Sequence, residues 1–224
     1  MPDALSYATA TADEVRRRAA ALRSMAVLDT PPEEGFDALT RLAANVCSTP
    51  IAIVSLIDGD RLWFKSVFGL SATTIDSAQS FCCEAANAKR VLDVPNARRD
   101  PRFLANHLVT GELGIRHYAG APIMHDGVGI GTICVLDIAP RTQTPTALNA
   151  LVEMATIAGV LLRARIEAFQ TGASDRRRDS IRFGTSLPAH PVAIDAATAA
   201  ARACCPNGLF SLPIDGGSSL PSSA

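Results

Sequence analysis

The chain has 224 residues, 48 % of them hydrophobic, with 21 Lys and Arg against 22 Asp and Glu. That is enough apolar material for one domain with a substantial core and some length to spare. A net charge of −1 lacks the basic excess that phosphate-backbone binding draws on, so nucleic acid is not an expected partner.

Residues 1–10 show neither the basic leader nor the apolar core of a signal peptide. Apolar runs such as Ile51 to Ile57 fall short of the roughly 20 residues a membrane helix needs. The expectation is a cytoplasmic protein without a membrane partner. Its six cysteines then read as reduced thiols rather than a disulfide framework.

In chain order, Thr11 followed by Glu14 predicts a capping box and a helix to about Ser24. Thr30 and Glu33 repeat the device, with Pro31 and Pro32 in the first turn. Phe36, Leu39, Ala43 and Val46 then mark one packed helix face. Ile51 to Phe68 reads as a hairpin turning at Gly59-Asp60. Neither face of that hairpin is polar, so its sheet is expected to be covered on both sides. Ser80 caps a predicted short helix to Leu92, and Pro95 to Gly114 is an irregular crossover with a helical turn near "DPRFL". A second hairpin turns at His125-Asp126-Gly127, and Gly120, Gly129 and Gly131 leave room above it for a helix or a ligand.

Thr144 and Pro145 open the last helix, with Leu148, Leu151, Val152, Ala155, Ala158, Leu162, Ile166 and Phe169 as its apolar stripe. At about 1.5 Å per residue it runs about 38 Å, longer than a small sheet covers. Leu162, Ile166 and Phe169, with Val15 and Leu22 of the first helix, are therefore expected to bury against a second copy in a parallel homodimer. Residues 171–224 turn rich in Ser, Pro, Gly and Arg and read as a low-complexity, disordered tail.

Four stretches carry a family resemblance: "LDTPPEEGFDALTRLAANVCSTPIAIVSLIDGDRLWFKSVFGL", "SFCCEAA", "DPRFLANHLVTGELGIRHYAGAPI" and "GIGTICVLDIAPR". Together they resemble a GAF domain of the bacterial subgroup found with histidine kinases and diguanylate cyclases. The resemblance implies an α+β fold: an antiparallel sheet flanked by helices, with a long C-terminal helix. It assigns 26–170 to the domain, 1–25 to an N-terminal helical segment and 171–224 to the tail. It also implies a sensory or regulatory role in signal transduction, as in two-component systems, with a small-molecule ligand. Two positions depart from the pattern: Asn96 stands where similar sequences carry Asp, and Glu84 where they carry His. No phosphoacceptor module or "GGDEF" motif follows the long helix, so the signal is expected to pass to a separate protein.

The pocket expected between sheet and crossover takes Trp63, Phe81, Cys82, Arg102, Phe103, Tyr118 and Cys134, each of which packing alone would equally explain. Cys82 and Cys83 lie near a helix start, where the dipole favours a thiolate. With Cys134 they fit either small buried hydrophobes or a thiol-dependent reductase of free methionine sulfoxide, which some GAF proteins resemble. A bilin attachment would be helped by a His directly after the cysteine, and there is none. His107, His117, His125 and His190 show no metal-ligand spacing. Arg98, Arg99 and Arg102 around Asp100 suit either a solvated loop or an anion contact. The remaining alternative is a ligand-free interaction module filled by its own side chains. The sequence leaves ligand identity and cofactor open.

Overall fold

The computed structural model describes residues 8–77 and 80–170, with side chains as far as 167. The reading of 171–224, and that of the Phe169 side chain, lie outside the described residues.

Helix α1 spans Ala12–Met25, and its predicted capping box is present. The Glu14 amide donates to the Thr11 hydroxyl at 3.2 Å, and the Thr11 amide to the Glu14 carboxylate at 2.9 Å. The second expected box is absent. Helix α2 runs Glu34–Cys47 with Glu33 as an N-cap that makes no side-chain bond. Pro31 and Pro32 explain this, because a residue before proline is pushed out of the helical region. Thr30 turns elsewhere: its hydroxyl donates to the Val27 carbonyl at 2.6 Å and accepts from Lys65 Nζ at 2.8 Å. Phe36, Leu39 and Ala43 are buried as expected, but Cys47 takes the inward place and Val46 faces out.

Strands β1 (Ile51–Asp58) and β2 (Arg61–Phe68) form the first hairpin around Gly59-Asp60. An unforeseen three-residue strand, β3 (Thr74–Asp76), pairs on the outer side of β2. Helix α3 covers Phe81–Ala88, shorter than expected, because Lys89 turns left-handed at φ 54°. Strand β4 (Leu92–Val94) and the one-turn helix α4 (His107–Thr110) interrupt the crossover. Strands β5 (His117–His125) and β6 (Val128–Asp137) make the second hairpin. Its turn residues Asp126 and Gly127 both have positive φ, 46° and 75°, as a tight hairpin turn demands. Helix α5, Pro145–Gln170, starts where the Ala147 amide donates to the Thr144 hydroxyl at 3.1 Å.

The six strands order β3-β2-β1-β6-β5-β4, antiparallel throughout. Both faces are covered. On one, α1, α2 and α5 pack Leu22, Met25, Phe36, Leu151 and Leu162 against Val54, Ile123 and Val135. On the other, α3 and the crossover pack Phe81, Phe103 and Leu108 against Ile53, Phe64, Tyr118 and Leu136. This two-sided cover explains why the first hairpin carries no polar face.

Two expectations change here. The first helix is no separate segment, since Leu22 and Met25 belong to the core. Nor does Leu162 need a second chain: it is fully buried within its own, and Ile166 packs partly against the same cluster. The reason is that the outer stretch of α5 lies beside α1 and α2, which extend its cover past the sheet. Arg165 fastens that corner, donating from Nε to the Met25 carbonyl at 3.0 Å and from Nη2 to that of Ala26 at 2.9 Å. Val15 lies exposed on the surface of α1.

Pro145–Glu167 is long and apolar enough by composition to cross a membrane, contrary to the reading of the apolar runs. The same composition serves a core helix, and one face of α5 is committed to the sheet through Leu151, Met154, Ala155 and Ala158.

Candidate functional site

The α3 face of the sheet differs from an ordinary apolar core in having polar atoms at its centre. Strand alternation places Ser55 of β1 with Thr132 and Cys134 of β6 on this side, and Tyr118 of β5 beside them. The Ser55 and Thr132 hydroxyls are 2.9 Å apart. Helix α3 lowers Cys82 onto the group until its sulfur is 3.7 Å from that of Cys134. Ser80 sets the helix start, its hydroxyl accepting from the Cys83 amide at 3.1 Å. Gly129 allows the close approach, for a Cβ there would stand 2.2 Å from the Ala86 carbonyl oxygen.

Three rings close the site. Phe81 stacks on Phe103 at 4.1 Å between centroids and on Tyr118 at 5.0 Å. The Tyr118 hydroxyl reaches over Gly120, where a Cβ would come within 2.3 Å of it. That hydroxyl is wholly buried and has no hydrogen-bond partner of ordinary geometry. Such a group costs roughly 1 to 3 kcal/mol unless something arrives to bond it.

The electrostatics divide the thiols. Hydrogen bonding from Cys134 is the chief cause that holds the Cys82 thiol down to about 6, assisted by Thr132, Ser55 and Tyr118, with burial opposing. The same contact and burial push Cys134 well above the ordinary thiol range. Burial raises Cys83 to about 11. Tyr118 is driven up by burial first and then by the neighbouring sulfurs. Of the pair, Cys82 is therefore the more acidic.

Of the residues singled out from sequence, Phe81, Cys82, Phe103, Tyr118 and Cys134 come together here. Arg102 sits at the rim, donating to Asp100 at 2.7 Å and to Glu84 at 3.3 Å. Trp63 does not join them. It lies on the opposite face, in the α1, α2 and α5 core, where Lys65 Nζ stands 5.9 Å from its ring centre. The hydroxyls of Ser55 and Thr132 were missed. Their signal was available: each is a hydroxyl in the middle of an otherwise apolar strand run, which must find a buried partner.

Glu84, at the His position of the resembled pattern, is 3 % exposed and ties two elements together. Besides Arg102 it receives the Ala8 amide at 2.5 Å. Lys89 meets Glu14 at 2.6 Å, and Arg18 donates to Asn87 at 2.7 Å and to the Gly129 carbonyl at 2.7 Å. Helix α3 is thus bound to the α1 end of the chain. His117 is a core residue: Nδ1 donates to the Val94 carbonyl at 3.1 Å, and Nε2 accepts from Gln143 at 3.2 Å. A surface recess of about 660 Å³ lies elsewhere, along α2 and β2 near Arg41, Lys65 and Ser71. Among the described residues, no group of three or more His, Cys, Asp or Glu could hold a metal ion.

Comparison with known proteins agrees with this architecture. The family model "GAF domain" matches residues 8–162, and the chain belongs to the GAF family. The match begins ahead of α1, in keeping with that helix's place in the core. A cyclic di-GMP phosphodiesterase of Pseudomonas aeruginosa is 36 % identical over 130 residues, 58 % of this chain and 22 % of that protein. The chain thus spans about a fifth of that relative's length. Among solved structures, the GAF domain of an Acinetobacter phosphoenolpyruvate-protein phosphotransferase is similar at TM-score 0.52 and 16 % identity, covering 73 % of this chain and 96 % of that one. A type II free methionine-R-sulfoxide reductase of Thermoplasma acidophilum reaches TM-score 0.50 at 13 % identity, over 58 % and 92 % of the two chains. At such identities these likenesses establish the fold alone.

Proposed function

We propose that the chain is a sensory or regulatory domain of bacterial signal transduction, working in the cytoplasm, whose ligand site lies between the sheet and α3. The observation that carries this reading is the fully buried Tyr118 hydroxyl with no hydrogen-bond partner of ordinary geometry, set beside hydroxyls and thiols under three stacked rings. A small, flat molecule with a hydrogen-bond acceptor meets that chemistry. Rings favour stacking, and an acceptor would relieve the orphaned hydroxyl. Phe81 and Phe103 fill the space in this structure, so entry requires α3 and the crossover to move. Similarity to part of a cyclic di-GMP phosphodiesterase supports a place beside such signalling enzymes. Exposed Leu42 and Val46 on α2 and Val152, Ile157 and Val160 on α5 are the surface on which a homodimer would close.

Native mass spectrometry of the freshly purified protein, followed by thermal-shift screening of small metabolites, tests the reading. The expected result is a ligand whose affinity falls about tenfold in Tyr118→Phe, the loss of one hydrogen bond. A protein that binds nothing would favour the second reading, an interaction module filled by its own side chains, which the closed ring stack supports. Turnover of free methionine sulfoxide, lost in Cys82→Ser and Cys134→Ser, would instead make it a thiol-dependent reductase. For assembly, light scattering should show a dimer that Ile157→Glu with Val160→Glu dissociates.

A further inference from the structure

Two thiols buried merely as small apolar groups would not need hydroxyls around them. Cys82 and Cys134 have those of Ser55, Thr132 and Tyr118. We propose that Cys82 and Cys134 are a modification site, oxidised by hydroperoxides to a reversible disulfide that fastens α3 to β6. The thiol chemistry stands on its own geometry; only the consequence for ligand entry rests on the reading of α3 as the cover of the sensory site.

The pair is placed for it. The sulfurs stand 3.7 Å apart and need to close to about 2.05 Å, within reach of a side-chain rotation and a small settling of α3. Other described thiols do not compete. Cys47 lies in the core on the far side of the sheet. Cys83 follows Cys82 in the same helix and is held protonated, its pKa raised to about 11 by burial. Cys82 is also the second residue of a capped helix, where the dipole favours a thiolate, and it keeps a trace of exposure, 6 %.

The chemistry balances with a hydroperoxide as oxidant. The Cys82 thiolate attacks the outer peroxide oxygen. The O–O bond breaks, and the departing alkoxide takes the proton that Cys82 had released, leaving an alcohol and a sulfenic acid on Cys82. The Cys134 sulfur then attacks the Cys82 sulfur. The S–O bond breaks, and hydroxide leaves as water with the Cys134 proton. The two thiols lose two electrons and the peroxide gains them. A thiol reductant reverses the bond by exchange. In the oxidised form α3 is covalently tied to the sheet, and the motion that admits a ligand is blocked.

The main test uses the native 224-residue chain, so it depends on no variant folding. After hydrogen peroxide treatment under non-denaturing conditions, intact mass and disulfide mapping should show loss of two hydrogens and a Cys82–Cys134 crosslink reversed by dithiothreitol. The crosslink should persist in Cys83→Ser and in Cys204→Ser with Cys205→Ser. Amide exchange in α3 should slow at least tenfold on oxidation. No crosslink, one formed through Cys83 or between chains, or over-oxidation alone would overturn the proposal. A Cys82–Cys134 crosslink with α3 exchange unchanged would uphold the modification and overturn the reading of α3 as a moving cover.

Discussion

The two faces of the sheet are built to different rules. Under α1, α2 and α5 the interior is mainly carbon: Leu22, Phe36, Leu151 and Leu162 interlock with Val54, Ile123 and Val135. Its one buried ammonium, Lys65, is answered by Glu33 at 2.6 Å, the Pro31 carbonyl at 2.8 Å and the Thr30 hydroxyl. Under α3 the interior mixes rings, hydroxyls and thiols, and the Tyr118 hydroxyl has no partner of ordinary geometry. The first face answers the charge at its centre and is otherwise filled by interlocking carbon, so it gives the domain its stability. The second keeps a polar demand unmet, which natural cores tolerate chiefly where function requires it.

That contrast predicts unequal responses to mutation. Leu151→Ala, at a fully buried position of α5, should cost about 3 to 4 kcal/mol, since rigid neighbours on all sides leave the cavity open. Phe103→Ala removes a larger side chain from the α3 face, yet should cost no more than about 3 kcal/mol, the low end for such a change, because the crossover can collapse into the gap. Urea denaturation of both variants compares the faces directly. A greater loss for Phe103→Ala would mean that both are locked alike.

Acidification should probe the seam where β4, β5 and the start of α5 meet. His117 titrates below the ordinary histidine range because burial disfavours its charged form. The unfolded chain takes up this proton near pH 6.5 and the folded chain only at lower pH. Stability should therefore decline as pH falls below about 6.5, by at most about 1.4 kcal/mol per pH unit from this group. Denaturation midpoints at pH 7 and pH 5.5 measure the slope, and His117→Gln should flatten it. Equal slopes in both proteins would remove His117 as the source.

The smallest effect is the most discriminating. Tyr118→Phe removes a hydroxyl that has no hydrogen-bond partner of ordinary geometry, so stability should stay within about 0.5 kcal/mol of the native protein or rise slightly. Thr132→Val, which strips the Ser55 hydroxyl of its 2.9 Å side-chain partner, should cost about 1 kcal/mol. A marked loss in Tyr118→Phe would show that the hydroxyl is already bonded and that the α3 face is as settled as the other.

Much of this architecture was legible from local chemistry. Gly59-Asp60 and Asp126-Gly127 place residues that tolerate positive φ where the chain reverses, so both hairpins could be read. The Thr11 box could be read for a similar reason, as two side chains three residues apart satisfy each other. The Thr30 pair has the same spelling but is interrupted by two prolines, whose backbone restrictions outrank a side-chain bond. Five of the seven residues expected at the site meet there because α3 and the second hairpin each carry several of them. Trp63 lies on the other face because strands covered on both sides give no polar alternation to tell the faces apart. The bulge between Val54 and Ser55 shifts the pairing further. The burial of Leu162 depended on how α1 and α2 lie beside α5, which no single stretch of sequence encodes.

Helix α1 is held from two sides: Ala8, Glu14 and Arg18 reach α3 and its flank, and Arg165 of α5 grips the Met25 and Ala26 carbonyls. If the position of α3 depends on what occupies the face beneath it, linkage makes the traffic run both ways. A protein that seizes α1 or α5 in one arrangement must change occupancy of the distant site by the same factor by which occupancy changes its own grip. The ties through Glu84, Lys89 and Asn87 are where that exchange would be felt, so the affinity of this domain for its ligand would be a property of the assembly it serves.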